Sequence, residues 1–242
     1  WKARFIDKEG YIITGEGEAT TQYNLENKRL KADDTWVAYH AGEEKAYDCG
    51  SCHTTGYIPE GHQADLPGLI GTWAEDGVGC EACHGPGSDH VNDPYLVKLE
   101  VNRDREACAT CHAQGSGAGE PVVTQDGLIS HHDEYGALFP GKKAVMDCVD
   151  CHNPHTTVKY AKRFGAEVTC ESCHFESADY QKITDRRHAQ CVDCHMPYVT
   201  QTAVADPAKF SGDLRTHLMA INPVALTSLD DKGAWAGAYL GI

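Results

Sequence analysis

Apolar positions along this 242-residue chain come in short runs separated by polar and glycine-rich stretches. The clearest pattern spans residues 4–14, Arg-Phe-Ile-Asp-Lys-Glu-Gly-Tyr-Ile-Ile-Thr, where two apolar clusters flank a polar turn at Asp7 to Gly10. It predicts two short strands joined as a hairpin. Helical signals are equally brief. Short helices are expected around several cysteine-rich segments, with His112 and His174 near helix ends, and a further helix from about Ser177 to His188. Gly115-Ser-Gly-Ala-Gly119 reads as an exposed turn. The small apolar stretch Ala234–Ile242 is suited to packing on the body of the protein or on a neighbour. No run approaches the roughly eighteen apolar residues that cross a bilayer. The predicted fold is mainly α, with much irregular loop and a small β-hairpin, in one unit over residues 1–242.

Composition changes this picture through the cysteines. The hydrophobic fraction is 41% and aromatic residues are 8%, so the core is thin for this length. Such chains usually need disulfides, metals or cofactors to offset the entropy lost on folding. All twelve cysteines fall into one repeated pattern: Cys49-Gly-Ser-Cys52-His53, Cys80-Glu-Ala-Cys83-His84, Cys108-Ala-Thr-Cys111-His112, Cys148-Val-Asp-Cys151-His152, Cys170-Glu-Ser-Cys173-His174 and Cys191-Val-Asp-Cys194-His195. Cys-x-x-Cys pairs alone would suit four-cysteine zinc sites or redox disulfides. Neither chemistry asks for the histidine. With 14 histidines in the chain, a His follows a given residue roughly one time in 17, so six of six is far beyond chance.

Two cysteines about one helical turn apart can both form thioethers along one edge of a haem, and the adjacent histidine then faces the iron. The pattern therefore predicts six covalently bound haem c groups, with His53, His84, His112, His152, His174 and His195 as proximal iron ligands. About forty residues of protein per haem is too little to insulate the groups from one another. They are expected as a stacked array, with a first haem group over about 1–120 and a second over about 121–242.

Eight histidines remain for six distal positions: His40, His62, His90, His131, His132, His155, His188 and His217. Pro154 directs His155 away from the haem of its own motif, and the Gly85-Pro-Gly87 turn does the same for His90. His188 precedes the sixth motif, and His217 lies beyond all motifs, where it can cap a late haem. In an extended segment His131 and His132 point to opposite sides, so one or both can bind iron. His90, His131, His132, His155, His188 and His217 make a complete bis-histidine set, with His40 and His62 in reserve. Met146, Met196 and Met219 are not well placed as ligands.

Local sequence resembles known families. Tyr47-Asp-Cys-Gly-Ser-Cys-His-Thr-Thr-Gly56 and Gly77-Val-Gly-Cys-Glu-Ala-Cys-His-Gly-Pro-Gly87 resemble the middle haems of the tetrahaem cytochromes of the ammonia-oxidation type. They are also similar to extracellular electron-transfer cytochromes of metal-reducing and related prokaryotes. The Cys-Val-Asp-Cys-His-Asn-Pro-His and Cys-Val-Asp-Cys-His-Met-Pro segments resemble haem pairs of those cytochromes and of pentahaem nitrite reductases. The resemblance covers about residues 45–220 and implies a multihaem cytochrome c fold around a stacked haem array. It further implies low-potential bis-histidine haems, redox proteins or extracellular acceptors as partners, and a capacity to polymerise into filaments with haems stacked between subunits. The tetrahaem family has a motif before the one matching Cys49, absent here, where its counterpart of His90 serves. No Cys-x-x-Cys-Lys motif occurs, which argues against nitrite reduction.

The formal charge of −15 makes nucleic acid an improbable partner. Covalent haem attachment of this kind is carried out beyond the cytoplasmic membrane, so an extracellular or periplasmic location and a removed export signal are expected, with Trp1 as a trimmed or incomplete start. The expected activity is electron transfer without a catalytic residue. The alternative is an enzyme acting on a small nitrogen or sulfur compound at an open haem on Cys49 and Cys52, the position where the tetrahaem family can lack a distal ligand.

Overall fold

The computed structural model describes residues 1–113, 124–125, 128–130, 134–139, 143–156, 166–174 and 190–219. The chain divides into two compact units, residues 1–102 and 103–242. His131, His132, His188, the glycine turn at 115–119, the helix expected from Ser177 and the apolar stretch 234–242 lie outside the described residues.

The first unit is built from small sheets. Strands β1 (Lys2–Ala3), β2 (Gln22–Asn24) and β3 (Thr35–Val37) pair antiparallel in that order. Tyr23 stands opposite Trp36, with ring centroids 5.0 Å apart, and the Phe5 ring is 5.8 Å from the same indole. Cross-strand aromatic pairs of this kind stabilise short ladders that backbone pairing alone would not hold. Gln22 and Asn24 are buried on the opposite face and satisfy one another, Gln22 Nε2 donating to Asn24 Oδ1 at 2.8 Å.

The hairpin expected over 4–14 is present. Ile6 bridges Ile12 antiparallel, and the Ile13 N–H donates to Phe5 O at 2.8 Å. Asp7 Oδ1 accepts from the Glu9 and Tyr11 N–H groups, each at 2.9 Å, which closes the turn. Further along, β4 (Thr54–Thr55) pairs with β7 (Glu75–Asp76), and β5 (Ile58–His62) pairs with β6 (Ile70–Thr72) across an irregular register.

In the second unit β10 (Thr200–Gln201) and β8 (Thr124–Gln125) flank β9 (Leu128–Ser130), parallel on one side and antiparallel on the other. Leu128, Ile129, Ala137, Leu138, Val199 and Leu218 are buried in this unit.

The expectation of a mainly α chain gives way to short helices sharing the fold with these sheets. Among the described residues the α-helices run four to eight residues: α1 (Gly50–His53), α2 (Glu81–His84), α3 (Ser88–Asn92), α4 (Arg105–His112), α5 (Glu134–Leu138) and α6 (Cys191–His195). The reason is local. A Cys-x-x-Cys-His motif asks for one helical turn, and helices this short are not stable without tertiary support. No helix among the described residues is long and apolar enough to cross a membrane.

Candidate functional site

Each motif is one helical turn closed by its own backbone. The N–H groups of His53, His84, His152 and His174 donate to the carbonyls of Cys49, Cys80, Cys148 and Cys170 at 2.9–3.0 Å. That turn sets both sulfurs and the imidazole of a motif toward one side. No disulfide joins any of the twelve cysteines, and among the described residues no three Cys, His, Asp or Glu side chains converge as a zinc site requires.

The spacer residues of the motif have their own work. In Cys148-Val-Asp-Cys151, Asp150 accepts from the Asp147 N–H at 2.9 Å; in Cys191-Val-Asp-Cys194, Asp193 accepts from the Gln190 N–H at 2.9 Å. Both form reciprocal capping boxes. In the second motif Glu81 instead reaches forward, accepting from the Gly87 N–H at 2.7 Å. Gly85, with φ of +71°, lets the chain leave α2 directly after His84.

In the first unit a two-stranded ladder holds the first two motifs. β4 follows His53 without a gap and pairs with β7, which ends shortly before Cys80. The buried Thr55 locks the junction, its hydroxyl donating to Gly77 O at 2.9 Å and accepting from the Gly79 N–H at 2.8 Å. A cavity of about 530 Å³ opens beside the second motif, lined by Cys80, Glu81, His84, Ser88, His90 and Leu99 among others. Its size suits a cofactor. His84 Nδ1 lies 2.6 Å from Glu100 O and His90 Nδ1 2.8 Å from Val97 O. A carbonyl can only accept, so both rings carry the proton on Nδ1 and present the Nε2 lone pair, the arrangement of metal-ligating histidines.

In the second unit thiols of successive motifs influence one another, in contact between the third and fourth and between the fifth and sixth, and only through their charges between the fourth and fifth. Burial, and then the adjacent Cys108 thiol, push Cys148 up to about 12. Burial and then Cys191 raise Cys170 in the same way, and Cys191 Sγ is 3.9 Å from Glu171 Oε1. Cys151 is raised by burial, then Asp150, then Cys173. Haem attached at these motifs would convert these thiols to thioether sulfurs at porphyrin edges. The neighbours run in sequence order: third motif to fourth, fourth to fifth, fifth to sixth.

His217 enters this cluster from the chain's later segment. Its ring centroid is 5.9 Å from that of His152. At this spacing the two imidazoles would be able to hold one haem iron between them. Among the described residues His217 Nδ1 is buried without a hydrogen-bond partner, which is costly unless a further group binds the ring. Burial pushes its pKa down to about 4, so the imidazole is neutral and can donate a lone pair. Haem fits both this site and the cavity of the first unit.

Residues 14–85, which carry the first two motifs, match the family described as cytochrome c554 and c-prime. The multiheme cytochrome MtrA of Shewanella baltica (strain OS185) is 30% identical over 41% of this chain and 43% of its own. This chain is a multihaem c-type cytochrome. The cytochrome thus spans less than half the length of that curated relative. Two solved structures are similar to it. One is the outer cell wall cytochrome OcwA, 18% identical over 77% of this chain and 59% of that one, with a TM-score of 0.48. The other is the undecaheme cytochrome from the S-layer of Carboxydothermus ferrireducens, 20% identical over 82% and 43%, with a TM-score of 0.47.

The remaining candidate histidines of the cytochrome are placed as follows. His155 is exposed, its N–H held at 3.0 Å by Asn153 Oδ1 across Pro154. His40 Nδ1 pairs with Glu43 at 2.9 Å, and His62 Nδ1 lies 3.2 Å from Leu69 O. Several residues with no motif signal also shape the sites. Arg215 Nη1 donates to Val192 O at 2.7 Å and Met196 O at 3.0 Å, while Nη2 meets Asp193 at 2.6 Å. The Gln190 N–H and then this guanidinium hold Asp193 below the usual carboxylate range. Arg105 donates to Ala144 O and Met146 O, tying α4 to the approach of the fourth motif. Glu134 accepts from His112 Nδ1 at 3.2 Å. Burial acts to raise Glu134, but the hydrogen bond to His112 and then a backbone bond outweigh it and hold the carboxyl at about 2.

Proposed function

We propose that this cytochrome conducts electrons through six covalently bound haems, mostly bis-histidine, in the periplasm or outside the cell. Bound haem supplies a one-electron Fe(III)/Fe(II) couple, and the chain's residues attach, ligate and order the groups. The observation that carries the reading is the succession of sulfurs in the second unit, Cys108 beside Cys148, Cys151 near Cys173 and Cys170 beside Cys191. Sulfurs that meet bring porphyrin edges together, and an unbroken run of edges is a conductor's requirement. The distance between His152 and His217 supports bis-histidine ligation at the fourth motif. His90, expected from its turn to serve another haem, lines the same cavity as His84 and is the candidate second imidazole there.

His131, His132, His155 and His188 complete the proposed distal set, with the haem groups joined in one electron path over 1–242. The partners are redox proteins or extracellular acceptors. Growth into a filament, with haems continuing from subunit to subunit, extends the same reading; negative-stain images of concentrated protein that show only monodisperse particles would sink that extension.

Intact mass and electron paramagnetic resonance of the oxidised protein test the main reading. Six haems, all low-spin, are expected. A strong high-spin signal would instead favour an enzyme with an open haem on Cys49 and Cys52.

A further inference from the structure

The motif histidines differ in what they meet on the side away from the iron. His84 Nδ1 faces a neutral backbone carbonyl, Glu100 O, at 2.6 Å. His112 Nδ1 faces a carboxylate, Glu134 Oε2, at 3.2 Å. Glu134 opens α5, whose Gly136, Ala137 and Leu138 are buried. Its own side chain is only 27% exposed. Packing of α5 is fixed further by Tyr135 against Phe139, centroids 4.8 Å apart, and by Arg105 over the Phe139 ring at 4.9 Å. The carboxylate is therefore held in place by the fold.

We propose that Glu134 is a positioning and tuning residue for the haem of the third motif. By accepting the His112 Nδ1–H it gives that imidazole anionic character and holds this haem at a lower potential than a carbonyl partner would. The inference rests on the reading above, in which His112 is an iron ligand.

The physical sense follows from charge. Fe(III) carries one more positive charge than Fe(II), so a fixed negative charge one imidazole away favours the oxidised state. A partly buried site weakens solvent screening of that effect. Electrons entering the second unit would then meet a low-potential step at its first motif.

Glu134→Gln separates charge from geometry, because the amide oxygen can still accept from His112 Nδ1 while the charge is gone. Spectroelectrochemical titration of the six-haem protein should show one midpoint potential clearly raised. Glu106→Gln removes one charge from exposed surface on α4 and should move every potential less than that. Glu134→Asp keeps the charge and should stay nearer the parent; if the Gln variant fails to load, a rise here from the longer hydrogen bond carries the test. A fully loaded Glu134→Gln variant with potentials no different from the Glu106→Gln control overturns this inference alone. A parent protein with no haem on Cys108 and Cys111 overturns both it and the reading beneath it.

Discussion

In residues 1–102 the motifs hang from strands, whereas in residues 103–242 they are held by side chains. The first two motifs are fixed through β4 and β7, with Thr55 bonding both Gly77 and Gly79 at their junction. Among the last four, thiols of successive motifs lie near one another, and two arginines collect carbonyls, Arg105 before the fourth motif and Arg215 behind the sixth. The segment around Arg215 is the more economical device. Within three residues it grips the sixth motif through Arg215 and approaches His152, the proposed proximal ligand of the fourth, through His217. A ladder positions haem by backbone geometry and tolerates side-chain change. A clamp concentrates the same task in a few groups, and each becomes costly to lose.

The largest contrast comes from removing an attachment site. Replacing Cys148 and Cys151 by Ala should lower the intact mass by one haem and open the second unit to proteolysis throughout, because the third and fifth motifs both lean on the fourth. The same change at Cys80 and Cys83 should cost one haem and leave the second unit resistant. Equal cleavage patterns in the two variants would end the view that the later motifs form one cluster.

His217→Ala sharpens the comparison at a single iron. One haem equivalent should become high-spin in the oxidised protein, with the remaining haems unchanged, as read by electron paramagnetic resonance. An unaltered spectrum would mean that His217 binds no iron.

Arg215→Ala tests the clamp itself. The side chain is only 14% exposed and supplies two bonds to carbonyls and one to Asp193. Its loss should destabilise the protein by about 3 kcal/mol, measured by denaturant unfolding. A loss under about 0.5 kcal/mol, the scale of an ordinary surface change, would place the stability of the sixth motif elsewhere.

The smallest effect is expected on the ladder side. Gly71 in β6 has φ of +79°, and a Cβ there would lie 2.5 Å from the Tyr57 ring and 2.7 Å from Ile58 O. Gly71→Ala should cost about 2 kcal/mol through strain and overlap while the haem count stays unchanged by mass. If that substitution instead released a haem, the sheets of the first unit would be as tightly coupled to their cofactors as the clamps are.

Much of this molecule could be read along the chain because the relevant partners are close in sequence. The hairpin at 4–14 follows from two apolar clusters around Asp7, whose side chain bonds N–H groups two and four residues on. The expected ends of α4 at His112 and of the motif turn before His174 also agree with the structure. The capping role of Asp150 and Asp193 was legible in principle, since each stands three residues after the group it caps. The helical content was overestimated for the same local reason: a motif signals a helix but needs only one turn of it.

The repeated motif by itself determined the chemistry of this protein, because two thiols and an imidazole within five residues already form one attachment site. Which sites stand beside which was decided only by the tertiary structure. His112 meets Glu134 across 22 residues, Arg215 meets Asp193 across 22, and His217 lies beside His152 although 65 positions separate them in the numbering. Nothing in the sequence near either member of such a pair records the other. Local hydrogen bonds are fixed by neighbouring residues, whereas the order of the haem sites depends on the path by which the whole chain returns to itself.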